Sequence, residues 1–117
     1  MLMKFSIVIT TYNRLPFLKW SLESVLNQTI NCEIIVVDDA SSDQTEEYIK
    51  QLGERVIYHR NSINLGHSES VNIGVKIAKG EWIKLIDDDY IMPECIEIIG
   101  KSLVYFPDAV ICSCQAK

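Results

Sequence analysis

Three carboxylates in a row, Asp87-Asp88-Asp89, follow the apolar run Trp82-Ile-Lys-Leu-Ile86. Successive acids repel one another and need a counter-charge. A hard divalent cation with oxygen ligands supplies one and leaves positions open for phosphate oxygens. If the strand continues, alternate residues share a face, so Asp87 and Asp89 point the same way. A solvated acidic turn is the plain alternative, since Asp is common in turns. A second acidic pair, Asp38-Asp39, ends the run Glu33–Val37. A carboxylate there is well placed to accept from a ribose hydroxyl or a base N–H. Asp43, a little further on, reads as a helix cap. Thr10-Thr11-Tyr12-Asn13-Arg14 follows a third such run and offers hydrogen-bonding groups and one ring. Its plain reading is a cap from Thr11 or Asn13 with Tyr12 packing. The polar stretch Arg60–Ser68 carries Gly66 and His67 before a helix start, and His67 reads as a solvated or capping residue.

These groups need elements that bring them together. Phe5–Thr10 and Glu33–Val37 are nearly continuous in Ile and Val, the pattern of parallel strands buried on both faces. Arg55–His59, Glu81–Ile86 and Ala109–Cys112 complete five expected strands. Helical spacing lies between them. Leu18, Leu22, Val25 and Leu26 share a face, with Pro16 near the start. Ser41-Ser42-Asp43 caps a second helix, with Tyr48, Ile49 and Leu52 inward and Gly53 at its end. Ser68 or Ser70 caps a third, with Val71, Val75 and Ala78 inward. Pro93 opens a fourth, with Ile96, Ile99 and Leu103 inward, and it stops before Pro107. The alternation predicts an α/β domain: a doubly wound, mostly parallel sheet with helices on both faces. Ligands of such sheets bind beyond the carboxyl ends of the strands, where the acidic groups fall. No G-x-G-x-x-G follows any strand, which speaks against the dinucleotide fingerprint.

Composition sets the outer limits. The 117 residues make one domain with room for a core. Apolar residues are 48% and charged residues 23%, which excludes disordered and disulfide-scaffold classes. The net charge of −5 makes nucleic acid an improbable partner. Cys32, Cys95, Cys112 and Cys114 match no common zinc spacing and read as reduced, mostly buried thiols. No apolar run approaches the roughly 20 residues of a membrane span, and the first residues do not make a secretory signal. A cytoplasmic location is expected, at the inner membrane face for a longer protein.

Ser6-Ile-Val-Ile-Thr-Thr-Tyr-Asn-Arg14, Ile34-Ile-Val-Val-Asp-Asp-Ala-Ser-Ser-Asp43, Asn72-Ile-Gly74 with Ala78-Lys-Gly-Glu-Trp-Ile83, and Leu85-Ile-Asp-Asp-Asp89 resemble the family 2 glycosyltransferases. The four motifs stand in the family's order and cover nearly the whole chain. The resemblance implies the A-type nucleotide-sugar fold and transfer of a sugar, with inversion, from a nucleotide-diphosphate donor, typically a UDP-sugar, to a saccharide or lipid-linked acceptor. It implies that Thr10 and Tyr12 line the nucleoside pocket, with Asn13 and Arg14 beside them. Asp39 would accept from the base, and Asp38 would support the loop. Asp87, Asp88 and Asp89 would form the D-x-D element that binds Mg²⁺ or Mn²⁺ and, through it, the diphosphate; Asp87 and Asp88 would also meet the nucleotide. Asp87 and Asp89 fit D-x-D literally, and counting back from Pro93 makes Asp87 and Asp88 the pair, so all three are carried.

The family's catalytic base is an acid well beyond this element. The twenty-eight residues after Asp89 include Glu94, Glu97 and Asp108, which read as helix-start and turn residues. The chain is therefore expected to be one donor-binding domain, residues 1–117, with its base beyond Lys117. A non-catalytic nucleotide-binding module stands as the alternative. A phosphoacceptor receiver is disfavoured, because Thr-Thr-Tyr-Asn stands where its acidic pair belongs. A purely structural domain leaves both acidic clusters unexplained. A homo-oligomer stays open, since a sheet edge can pair with another chain.

Overall fold

The first strand, β1 (Phe5–Thr11), is buried along its whole length because both of its faces are covered. In the computed structural model, which describes residues 4–87 and 89–110, it lies inside a four-stranded sheet. Its partners are β2 (Glu33–Asp38) on one side and β4 (Trp82–Ile86) on the other, and β3 (Ile57–Arg60) pairs outside β2. All pairs are parallel. The register sets Thr11 opposite Asp38 and Asp38 opposite Arg60, so the polar strand ends fall along one edge of the sheet.

Among the described residues four helices cover the two faces: α1 (Leu15–Leu26), α2 (Thr45–Leu52), α3 (His67–Ile77) and α4 (Cys95–Tyr105). Alternation along β1 and β2 separates two apolar layers. Ile7, Ile9, Ile34 and Val36 pack with Leu18, Leu22 and Val25 of α1, Ile49 of α2, and Ile96, Ile99 and Leu103 of α4. Val8, Ile35 and Val37 pack on the opposite face against Ile73 and Ile77 of α3. This is the doubly wound α/β arrangement expected from the sequence.

Some details differ from that expectation. Beyond Gly53, whose φ of +59° ends α2, a 3-10 turn covers Gly53–Arg55 and delays β3 to Ile57. Gly66, at φ +95°, precedes α3, so neither Ser68 nor Ser70 caps it. The inward stripe of α3 is Ser70 and Gly74 with Ile73 and Ile77; Ala78 packs beside them as expected, whereas Val75 is 39% exposed. The reason is close approach. A Cβ on Gly74 would stand 2.3 Å from Val8 Cγ1. Of the expected fifth strand, Ala109 and Val110 are not strand, and Ile111 and Cys112 lie outside the described residues, as does Cys114. Cys32 and Cys95 are half-buried. Burial pushes the Cys32 thiol up to about 11, with the neighbouring Cys95 adding to the effect. No helix among the described residues is long and apolar enough to cross a membrane.

Candidate functional site

Two turns that follow neighbouring strands lock each other. Asn13, in the left-handed region at φ +51°, aims its Oδ1 at the backbone N–H groups of Ser42 (2.7 Å) and Asp43 (3.3 Å). Ser41 Oγ accepts in return from the Asn13 N–H at 2.9 Å. Asp43 serves two helices: Oδ2 accepts from the Leu15 N–H at the start of α1 (3.3 Å), and Oδ1 from the Thr45 N–H at the start of α2 (3.1 Å). The N-cap of α2 is Gln44 and that of α1 is Arg14, so neither Asp43 nor Thr11 or Asn13 holds the cap position expected of it; Asp43 instead supplies an acceptor to the first N–H of both helices. Asn13 is spent on the turn and does not line the cleft.

Asp38 is fully buried and accepts from Tyr58 Oη (2.6 Å) and the Ser41 N–H (3.0 Å). Burial, followed by the bond to Asp38, raises the Tyr58 phenol well above its ordinary value. Asp39 is 5% exposed and faces the other way. Its Oδ1 accepts from Asn61 Nδ2 (2.9 Å) and the Leu65 N–H (2.7 Å), and its Oδ2 from the Gly66 N–H (2.9 Å). Burial pushes the Asp39 carboxyl upward, but the bonds from Leu65, Asn61, Gly66 and Ser70 outweigh it and hold the group below its ordinary value. Asp39 thus fixes the loop whose last residue, Gly66, turns into α3.

A cleft of about 410 Å³ opens at this edge of the sheet. Thr10, Thr11, Tyr12 and Arg14 of the β1 end line it, with Asp39 from the β2 end and Asp87 from the β4 end. Asn64, Gly66, His67 and Ser70 close the side nearest α3. Of the residues expected from the sequence, Thr10, Tyr12, Arg14, Asp39 and Asp87 meet here. Asp88 lies outside the described residues. Asp89 does not line the cleft. β4 ends at Ile86, so strand alternation does not carry to Asp89, whose Oδ2 lies 3.5 Å from the Asp87 N–H.

His67 stands with its Nδ1 3.2 Å from Thr10 Oγ1 and so belongs to the cleft wall. Thr11 and Ser70 were expected only as helix caps, and Asn64 was not singled out in the sequence. Thr11 could have been found, because it ends β1 beside Thr10; Asn64 and Ser70 reach the cleft only through the fold. Thr11 Oγ1 is buried without a hydrogen-bond partner, the condition of a group that a ligand satisfies.

Among the described residues no group of three or more His, Cys, Asp or Glu side chains is placed to hold a metal ion. Asp87 and Asp89, both exposed, offer hard oxygen donors of the kind Mg²⁺ and Mn²⁺ take. Donor chemistry at the β4 end therefore fits such an ion. Glu97 is engaged elsewhere. It accepts from Thr29 Oγ1 (2.8 Å) and pairs with Lys101 (3.0 Å), beside the far end of α1. The twelve residues of α1, about 18 Å long at 1.5 Å per residue, run between Arg14 at the cleft and that end.

Residues 6–117 match the family described as glycosyl transferase family 2. The putative glycosyltransferase EpsH of Bacillus subtilis is 36% identical over 118 residues, which span 96% of this chain and 34% of that protein. S. aureus TarS residues 1–349, solved in complex with UDP, superposes with a TM-score of 0.81 at 29% identity, over 88% of this chain and 32% of that one. The mannosyltransferase PcManGT of Pyrobaculum calidifontis, solved with GDP-Man and Mn²⁺, superposes with a TM-score of 0.81 over 98% of this chain and 36% of that one. At 21% identity that likeness is one of fold. The chain thus spans about a third of the length of these proteins. By its matched residues and its fold, it belongs to glycosyl transferase family 2.

Proposed function

We propose that residues 1–117 form the donor-binding domain of an inverting glycosyltransferase that takes a UDP-sugar. The observation that carries this reading is the single cleft shared by Thr10, Thr11, Tyr12, Asp39, His67 and Asp87 at the carboxyl edge of a parallel sheet. TarS, a relative in fold and sequence, is solved with UDP.

In this reading the Tyr12 ring stacks on the base, and Thr10 and Thr11 bond the nucleoside with their hydroxyls. Asp39, on the cleft wall, accepts from a base N–H. Its lowered proton affinity keeps it a pure acceptor at neutral pH. Asp87, Asp88 and Asp89 would hold Mg²⁺ or Mn²⁺. That ion, when bound, neutralises charge growing on the diphosphate as the sugar leaves. His67, at the start of α3, faces the same cleft and can donate to a phosphate oxygen. The general base that takes the proton of the acceptor hydroxyl is assigned beyond Lys117, and the acceptor is a saccharide or lipid-linked sugar.

Uridine and UDP separate the two ends of the site. Asp39→Asn is expected to weaken both ligands about tenfold, with or without metal. Asp87→Asn is expected to weaken UDP in Mn²⁺ by a similar factor and leave uridine unchanged. Equal losses for both ligands in both variants, measured by titration calorimetry, would overturn the division of roles.

A further inference from the structure

Beside the cleft lies a set of aromatic rings that donor binding does not use. Phe17 and Trp20 are 47% and 49% exposed, on successive turns of α1, so their side chains are surface neighbours. Tyr90 is 42% exposed and lies with its ring centroid 5.1 Å from that of Trp20, the planes inclined by 34°. The segment after β4 follows α1 away from the cleft. Its Ile91 N–H bonds Ser24 Oγ (3.1 Å), and its Met92 carbonyl accepts from Gln28 Nε2 (2.8 Å). Both ends of the aromatic set are tied to the cleft. The Arg14 guanidinium, a cleft group, lies 4.6 Å from the Phe17 ring centroid. Tyr90 is three residues from Asp87, another cleft group, which limits their separation to about 10 Å.

The geometry points to a saccharide-binding platform made by Phe17, Trp20 and Tyr90, which holds a pyranose ring of the acceptor next to the donor cleft. The inference rests on the donor-site reading above and names the acceptor's contact with this domain. Size argues for a sugar over a protein. Three half-exposed rings leave on the order of 300 Å² open. A stable protein–protein contact covers about 800 Å² on each partner. A pyranose offers an apolar C–H face of ring size to an aromatic surface, and its rim hydroxyls need polar neighbours. Arg14, exposed and 4.6 Å from the Phe17 ring centroid, supplies one at the cleft end of the platform. Continuity with the cleft adds the second argument, because an acceptor must approach the donor sugar from outside the nucleotide pocket.

The test uses the 117-residue chain, ¹⁵N-labelled, titrated separately with cellotetraose, chitotetraose and UDP–Mn²⁺. The expected result is a shift of the Trp20 indole N–H with at least one tetrasaccharide, at millimolar affinity, while the indole of Trp82 stays still. Trp20→Ala and Tyr90→Ala should weaken that binding about tenfold, and Trp20→Phe should keep it within about threefold. All three variants should bind UDP as the wild type does. A Trp20 signal unmoved by either tetrasaccharide, or equal affinity in Trp20→Ala, overturns the platform. So does a concentration-dependent dimer, seen by sedimentation, that Trp20→Ala abolishes, for the rings would then serve a protein contact. Loss of UDP binding with saccharide binding intact would overturn the donor reading instead.

Discussion

The Asp39 carboxylate takes three hydrogen bonds from the loop before α3 and still borders the cleft. Its replacement therefore has two consequences that separate by variant. Asp39→Ala leaves the N–H groups of Leu65 and Gly66 and the Asn61 amide without their acceptor, at a cost of about 3 kcal/mol in unfolding free energy. Asp39→Asn keeps one acceptor oxygen and should lose less, which makes it the better probe of binding. The pH dependence follows from the lowered proton affinity. A carboxyl depressed in the fold contributes stability that is present above its ordinary value of 3.8 and lost as pH falls through the lower folded value. Denaturant unfolding below pH 4 should show a steeper loss in the wild type than in Asp39→Asn. Asp38 acts through different partners. Tyr58→Phe strands its buried Oδ2 and should cost about 1–3 kcal/mol without changing UDP affinity, as thermal unfolding and titration together would show.

At the scale of elements, β1 and β2 were legible because they are buried on both faces and nearly continuous in Ile and Val, whereas Ala109 and Val110 of the expected fifth strand are not strand. The inward face of α1 was legible from Leu18, Leu22 and Val25, and that of α4 from Ile96, Ile99 and Leu103. The inward face of α3 was legible only at Ala78. Periodicity counts apolar bulk, and α3 meets the sheet through Ser70 and Gly74, whose value is the bulk they lack. Gly74→Ala should push α3 off Val8 and destabilise by about 1–3 kcal/mol. The double variant Gly74→Ala with Val8→Ala should lose less than the two separate losses combined, as a thermal-unfolding cycle would show. The site was legible in part for a similar reason. Thr10, Tyr12, Asp39 and Asp87 follow strands, and a parallel sheet gathers strand ends. The exchange between Asn13 and Asp43 crosses from one strand-end turn to the next, and the bond from Asn61 to Asp39 spans twenty-two residues. Local patterns carry no trace of such pairs.

For the whole molecule, a net charge of −5 sits awkwardly with a ligand that carries a diphosphate. Asp39 and Asp87 stand on the wall of the same cleft, with Asp89 two residues beyond Asp87. A divalent cation reconciles the two, because it converts an acidic strand end into a phosphate site. The donor-site account therefore requires nucleotide affinity that depends on metal. Titration calorimetry of the chain with UDP in Mn²⁺, repeated after EDTA, tests it most directly. Binding is expected in Mn²⁺, and EDTA should reduce it by about tenfold or more. No binding by a folded sample, or the same affinity with and without the ion, would contradict it.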